Sequence, residues 1–201
     1  MSRQHWGCTG GTVEGGQMTP VTFDDTTHEF LEAVENMSHA GLNRCWHCLA
    51  CSGGCPFSRD MDVLPNAVIR MIQFGMKAQV LDCSTIWLCV GCNTCSVECP
   101  NAVCIAAIMD ALRQTAIREG APIAEPGILE FHNQVVDSIS RHGRTHKLEI
   151  MMRYKLAERD LFSDIDLGLR MLSKRKLDLL PSKVSDKKAV QALFRLGGEL
   201  S

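Results

Sequence analysis

The feature that most constrains this chain is a doubled cysteine pattern. Eight of its eleven cysteines lie in two runs with the same spacing, C-x2-C-x2-C-x3-C-P. The two runs comprise Cys45, Cys48, Cys51 and Cys55, and then Cys89, Cys92, Cys95 and Cys99. The two-residue gaps allow one loop to present three thiolates to the irons of one cubane, and this spacing is typical of [4Fe–4S] ligation. The sequence therefore predicts two [4Fe–4S] clusters.

The fourth cysteine of each run is expected to point away from its own loop, toward the other cluster. The first cluster is accordingly predicted to be ligated by Cys45, Cys48, Cys51 and Cys99. The second is predicted to be ligated by Cys89, Cys92, Cys95 and Cys55. Such crossed ligation makes the two halves one unit, so the loss of one ligand should disturb both sites.

Two other uses of cysteine compete with this interpretation. Pairs of the form CxxC also ligate zinc, but zinc sites usually draw on two separated pairs, whereas here a third cysteine follows each pair at once. A disulfide framework suits small secreted chains, yet the N-terminus shows no apolar signal region. Eight thiolates that hold oxygen-sensitive clusters fit a reducing cytoplasm, which is the expected location.

Composition argues against several classes of protein. Aromatic residues make up only 5% of the chain, so the clusters are expected to replace part of the hydrophobic core and to contribute to the free energy of folding. The longest uninterrupted apolar run, residues 103–109, is too short to span a bilayer, and no membrane insertion is expected. Binding of nucleic acid is not expected either, because the isoelectric point is near 6.4 and no aromatic-basic motif is present.

Apolar residues recur at helical spacing before, between and after the cysteine runs. The pattern predicts a helix that ends near Gly41, a helix that begins at Pro65, a short helix capped by Ser84, and a long helix from Asn101 to Glu119 that stops at Gly120. A βαβ ferredoxin would instead carry strands around its motifs. The expected fold is therefore all-α, an α-helical ferredoxin-like domain with two cluster-binding loops and additional C-terminal helices.

The chain divides into three predicted parts. Residues 1–22 are interpreted as a flexible, glycine-rich arm, residues 23–122 as the α-helical ferredoxin domain with two clusters, and residues 123–201 as a helical extension. Helices are predicted in the extension over residues 128–142, 148–159, 164–176 and 187–196. The charge changes sign along the chain: residues 1–142 hold 8 Lys/Arg and 15 Asp/Glu, a balance of −7, while residues 143–201 hold 13 and 8, a balance of +5. A tail of opposite sign is suited to docking on an acidic partner surface.

A few residues near the runs have a structural and a functional interpretation. Cys8, Cys83 and Cys104 lack the ligand spacing and are expected to be free thiols or small buried hydrophobes rather than ligands. His47 and Arg44 place positive charge near the first site, where they would favour its reduced form, or they are simply surface residues.

The chain resembles the C subunit of heterodisulfide reductase over about residues 23–196. The resemblance rests on the two cysteine runs, the entry Ile86-Trp87-Leu88-Cys89, and the segment 166–183, which ends in Leu-Pro-Ser-Lys after a basic helix. It implies an electron-transfer subunit without catalytic residues of its own in a soluble hetero-oligomeric oxidoreductase. Single electrons would pass through its two clusters between the A subunit, which holds flavin and further clusters, and the B subunit, whose noncubane clusters reduce a disulfide. The eight cysteines of the two runs match the family's ligand positions.

The resemblance also indicates what this chain does not do by itself. It lacks the cysteine-rich CCG segments of the B subunit and the transmembrane segments of membrane-fused relatives. The extension is expected to dock on the partner subunits through an apolar contact with a basic rim. The residues of this predicted contact are Leu177, Leu179 and Leu180, with Lys174, Arg175, Lys176 and Lys183 at the rim. The alternative function is a freestanding two-cluster ferredoxin that diffuses between enzymes.

Overall fold

The computed structural model describes residues 25–157, 170–171, 173–174, 184 and 186–198. Over these residues the secondary structure is entirely helical, and the all-α prediction is confirmed. The N-terminal arm with Cys8 lies outside the described residues. Ten α-helices are described: α1 (Asp25–Ser38), α2 (Ala50–Gly53), α3 (Pro65–Gln73), α4 (Lys77–Asp82), α5 (Thr85–Leu88), α6 (Thr94–Val97), α7 (Ile105–Glu119), α8 (Pro126–His142), α9 (Lys147–Ala157) and α10 (Lys187–Gly198).

The core lies between α1, α3, α4, α5 and α7, with α7 packed against α1, α4 and α5. Helix α7 contributes most to it, because its apolar residues recur every three or four positions and so share one face. The buried residues on this face include Ile105, Ile108, Met109, Leu112 and Ala116. The cysteine runs lie at one end of this core, where several of their cysteines pack against it.

Helix α7 begins four residues later than the sequence predicts. The helix does not start at Asn101, because Ala102 has a left-handed backbone conformation with φ of 52°, which a right-handed helix cannot include. The helix therefore starts at Ile105 and leaves residues 99–104 as a loop that carries the last cysteine of the second run. Its predicted end is confirmed, since Gly120 adopts φ of 65° and its N–H closes the last turn.

The C-terminal extension packs as a helical hairpin with a third helix beside it. Helices α8 and α9 pack against each other, and α10 lies against α8. Glu149 of α9 ties the hairpin, with its carboxylate 2.9 Å from Arg141 Nη1 and 2.6 Å from His142 Nε2. Ile128 and Leu129 at the start of α8 pack against the cluster-domain core. The extension is thus joined to the cluster domain by apolar contact.

Other expectations for the extension fall outside the described residues. These are residues 164–169, 172, 175 and 176 of the predicted helix 164–176, and the proposed docking contact except for Lys174. The N–H of Lys174 bonds the carbonyl oxygen of Arg170 at 3.2 Å. Among the described helices, none combines the length and the hydropathy that a membrane span requires.

The packing of α7 predicts the effect of one truncation on stability. Leu112 on α7 is fully buried, whereas Ile117 on the same helix is 53% exposed. Leu112→Ala should lower the free energy of unfolding by about 2–5 kcal/mol, because it removes buried methyl groups and leaves a cavity. Ile117→Ala, the matched control, should change it by less than about 1 kcal/mol. The measurement is anaerobic denaturant unfolding followed by helical circular dichroism, and equal effects of the two changes would contradict this packing.

Candidate iron-sulfur centres

The two cysteine runs adopt the same backbone conformation. In the first gap of each run, His47 and Gly91 have φ of 55° and 64°, and in the second gap Leu49 and Asn93 have φ of 67° and 62°. A short helix then follows each loop, α2 after the first and α6 after the second, and the two helices pack against each other. Left-handed residues at these positions turn the chain tightly enough for three cysteines to face one side. The repeat in sequence is therefore also a repeat in structure.

A small cavity, partly open to solvent, lies inside the first loop. Its cysteines are the first three of the first run and the last of the second: Cys45, Cys48, Cys51 and Cys99. Apolar side chains, among them Ile69 and Val103, line the rest of its wall together with Asn66 and Asn101. The last cysteine of the first run, Cys55, does not line this cavity.

A second small cavity, also partly open, lies inside the second loop. Its cysteines are Cys55, Cys89, Cys92 and Cys95, and its other lining residues include Phe57, Met61 and Met109. The structure thus brings the eight cysteines together in the two groups that the sequence predicts. Ile105, the first residue of α7, lines both cavities.

This arrangement fits a cubane better than a single ion. Within the described residues, no group of three or more His, Cys, Asp or Glu side chains lies close enough to hold one metal ion. In a [4Fe–4S] cluster each thiolate binds a different iron, so four sulfurs spread around a cavity are what it requires. The apolar walls keep water from the cluster sulfurs, and helices α3 and α7 both begin at the cavities, where the positive end of the helix dipole favours an anionic cluster.

The acidity of the cysteine thiols depends on whether they are buried or exposed. Burial raises the pKa of the Cys51 and Cys95 thiols above its ordinary value. The pKa of the exposed Cys92 thiol is lowered, chiefly by a hydrogen bond with the Thr94 hydroxyl, whose oxygen lies 3.4 Å from the sulfur. Iron must therefore displace protons that Cys51 and Cys95 hold firmly near neutral pH, which couples cluster assembly to pH.

Hydrogen bonds account for the polar groups near the first site. The N–H of Val103 lies 3.4 Å from Cys99 Sγ and donates to it, a contact of the kind that tunes cluster potentials. The two positive side chains singled out in the sequence have other partners: His47 hydrogen-bonds Gln73 Oε1 at 2.8 Å, and Arg44 donates to the carbonyl oxygen of Ala102 at 3.0 Å. The structure thus gives both residues a role in holding the loop.

The remaining described cysteines lie outside both cavities, as expected. Cys83 is buried and its thiol donates to the carbonyl oxygen of Val80 at 3.1 Å. Cys104 is half-buried, with its sulfur 3.9 Å from Ser96 Oγ.

Residues that the sequence analysis did not single out also shape the sites. Ile105 and Met61 belong to this group, because an apolar residue in a helix or loop carries no signal of the cavity that it lines. Asp62 is another. Partial burial acts to raise the pKa of its carboxyl group, but hydrogen bonds from the backbone of Ser84, the hydroxyl of Thr85 and further groups lower it to about 2.

Comparison with known proteins identifies related iron-sulfur proteins. Residues 41–103 match the family model of the 4Fe-4S dicluster domain. The C subunit of a ferredoxin:CoB-CoM heterodisulfide reductase from Methanosarcina acetivorans is 32% identical over 122 residues, which cover 61% of this chain and 47% of the relative. Over this part of its length the chain is similar to heterodisulfide reductase C subunits. The match to the dicluster domain also confirms the predicted cofactor, two [4Fe–4S] clusters.

Other relatives have related names. The C subunit of a ferredoxin/F420H2-dependent CoB-CoM heterodisulfide reductase from the same organism is 36% identical over 96 residues, or 47% of this chain and 59% of the relative. The iron-sulfur C subunit of a CoB–CoM heterodisulfide reductase from Methanopyrus kandleri is 26% identical over 110 residues, or 51% of this chain and 57% of the relative. The chain therefore spans about half the length of the curated relatives that it matches.

The grouping of cysteines predicts an effect at a distance in sequence. Cys99→Ser should impair the cluster of Cys45, Cys48 and Cys51, because Cys99 lines their cavity and not that of its own run. Electron paramagnetic resonance of the reduced protein should show the first cluster altered or lost, and the second retained with a smaller disturbance. Cys104→Ser is the matched control and should leave both signals unchanged. Damage confined to the cluster of Cys89, Cys92 and Cys95 would indicate uncrossed sites.

Proposed function

We propose that this chain is the electron-transfer subunit of a heterodisulfide-reductase-type complex. It relays single electrons through its two [4Fe–4S] clusters between an A subunit that holds flavin and iron-sulfur clusters and a B subunit that reduces a disulfide. The thiolates that hold the clusters are those of the two cysteine groups described above, with crossed ligation. The chain itself contributes no catalytic residue, and a reducing compartment, the cytoplasm, belongs to the same proposal.

The observation that carries the electron-relay part of this proposal is that each cavity has its own opening at the protein surface. Cys48 and Cys92, which occupy equivalent positions in the two loops, are both exposed. An exposed apolar side chain lies beside each of them: Trp46 is 80% exposed and Val90 is 61% exposed, and they too are equivalent in the repeat. A chain that only stored electrons would need no opening, and a chain that discharged to a single partner would need one. Two openings suit a relay with one entry and one exit.

The interior between the clusters also suits a relay. Ile105 is buried and contacts both cavities, so only a thin apolar partition lies between them. The clusters supply one-electron chemistry when bound. The protein residues then keep the two sites close, hold water away from the space between them, and leave one edge of each site open.

The proposal predicts that Trp46 contributes to partner contact and not to cluster binding. Trp46→Ser should keep both clusters but slow electron exchange with the partner that meets the first opening by about tenfold or more, because exposed aromatic anchors carry much of the affinity of an interface. Stopped-flow absorbance of the clusters after mixing with the separate partner subunits provides the measurement. Ile117→Ser, which changes a similarly exposed apolar residue away from both cavities, is the control and should have no effect.

The helical extension is proposed to dock the chain on its partners. Its residues 143–201 carry a balance of +5, which opposes the −7 of residues 1–142, and such charges mainly set approach and orientation. Deletion of residues 164–201 should leave both clusters assembled and abolish co-purification with the A and B subunits, as detected by mass spectrometry. If the truncated chain still assembled and exchanged electrons normally, the extension would be a stabilising cap.

A freestanding carrier is the second candidate function. The two surface openings favour it equally, because a diffusing ferredoxin also meets a donor and an acceptor. It predicts that the intact native chain purifies alone and exchanges electrons with several unrelated proteins. Stable recovery of the intact chain with both partner subunits distinguishes the complex subunit from the carrier.

A further inference from the structure

The second cluster site depends on two stretches of chain that are far apart in sequence. Cys55 closes the first run, and the other three cysteines of the cavity begin at Cys89. Helices α3, α4 and α5 lie between Cys55 and Cys89. Because a cluster tolerates little change in the separation of its ligands, the two stretches must be fixed to each other near the site.

One carboxylate makes this connection. Asp62, which follows Cys55 and stands next to the cavity-lining Met61, accepts hydrogen bonds from the N–H of Ser84 at 2.8 Å and of Thr85 at 3.1 Å. It also accepts a hydrogen bond from the Thr85 hydroxyl at 2.8 Å. The same carboxylate binds the N–H of Val63 at 2.8 Å, which fixes its own orientation.

The Thr85 hydroxyl reinforces the connection from the other side. Thr85 is fully buried. Its Oγ1 accepts a hydrogen bond from the N–H of Val63 at 3.2 Å and makes a short contact with the carbonyl oxygen of that residue. Several hydrogen bonds therefore join Asp62 and Val63, in the segment after Cys55, to Ser84 and Thr85, in the segment before Cys89.

The bonds act on Cys89 through a single turn of helix. Helix α5 spans only Thr85–Leu88, too short to be stable alone, and it begins at the residue that Asp62 holds. The N–H of Cys89 closes the turn on the carbonyl oxygen of Thr85 at 3.1 Å. We infer that Asp62 is a positioning residue of the second cluster site, which sets the separation of Cys55 from Cys89 by capping this turn.

The first site is held by other contacts, so the effect of Asp62 should be confined to the second site. Its two stretches are joined by the side chain of Arg44 to the carbonyl oxygen of Ala102 at 3.0 Å, and also by a backbone hydrogen bond from Cys104 to Ala40 at 3.1 Å. No side-chain substitution removes the second of these bonds. Loss of Asp62 should therefore affect the second cluster and leave the first intact.

The test compares three variants of the full chain, each reconstituted anaerobically with iron and sulfide. Asp62→Ala should retain about half of the roughly eight irons of the unaltered chain. The paramagnetic resonance spectrum should lose the splitting from two interacting reduced clusters and keep the signal of the first. The iron content of Asp62→Asn should lie between that of Asp62→Ala and that of the unaltered chain. The amide oxygen of asparagine still accepts hydrogen bonds, whereas its NH2 group cannot. Asp60→Asn removes the same charge two residues away, from an exposed position, and should change neither iron content nor spectrum.

A further variant separates positioning from general stability. Thr85→Val keeps the buried volume but removes the hydroxyl, and it should shift the reduction potential or occupancy of the second cluster only. Full iron content with unchanged potentials in Asp62→Ala would overturn the inference, as would equal loss of both clusters with loss of helical circular dichroism. The inference rests on the crossed cysteine groups proposed above and not on the relay. Since no partner subunit enters the measurement, its failure would leave the relay untouched.

Discussion

The structure depends on the sharing of two cavities between two cysteine runs. Each cavity takes three cysteines from one run and the fourth from the other, so neither half of the domain can form a complete site alone. This constraint explains why α2 packs on α6 and why α7 begins with a buried isoleucine between the sites. Aromatic residues are few in this chain, and bonds between cysteines and iron take the place of part of the usual aromatic packing. The free energy of assembling the clusters therefore becomes part of the free energy of folding.

The second consequence is an uneven distribution of burial around each site. Cys51 and Cys95 lie toward the interior, where desolvation raises the pKa of their thiols, while Cys48 and Cys92 lie at the surface. A cluster in such a setting is shielded on one side and reachable on the other. The function proposed for the chain follows from having this arrangement twice, in two cavities that share the lining residue Ile105.

Much of this could be predicted from the sequence, because cysteine spacing and helical periodicity are local signals. The all-α class, the start of α3 at Pro65 and the stop at Gly120 follow from residues within a few positions of each element. The turn at Ala102 was not predictable, since alanine carries no signal for a left-handed conformation. Nor was the role of Asp62, whose partners are more than twenty positions away. Ser84 was expected to cap α5, but its side chain makes no capping hydrogen bond, and Asp62 accepts from the N–H groups of Ser84 and Thr85.

An anaerobic crystal structure of the cluster-loaded chain, phased on the anomalous scattering of iron, tests the central claim most directly. It would reveal which sulfur is bonded to which cluster without any substitution. We expect Cys99 Sγ on an iron of the cluster held by Cys45, Cys48 and Cys51, and Cys55 Sγ on an iron of the other cluster. A structure in which each run supplied all four ligands of its own cluster would contradict the account, as would single zinc ions in the two cavities.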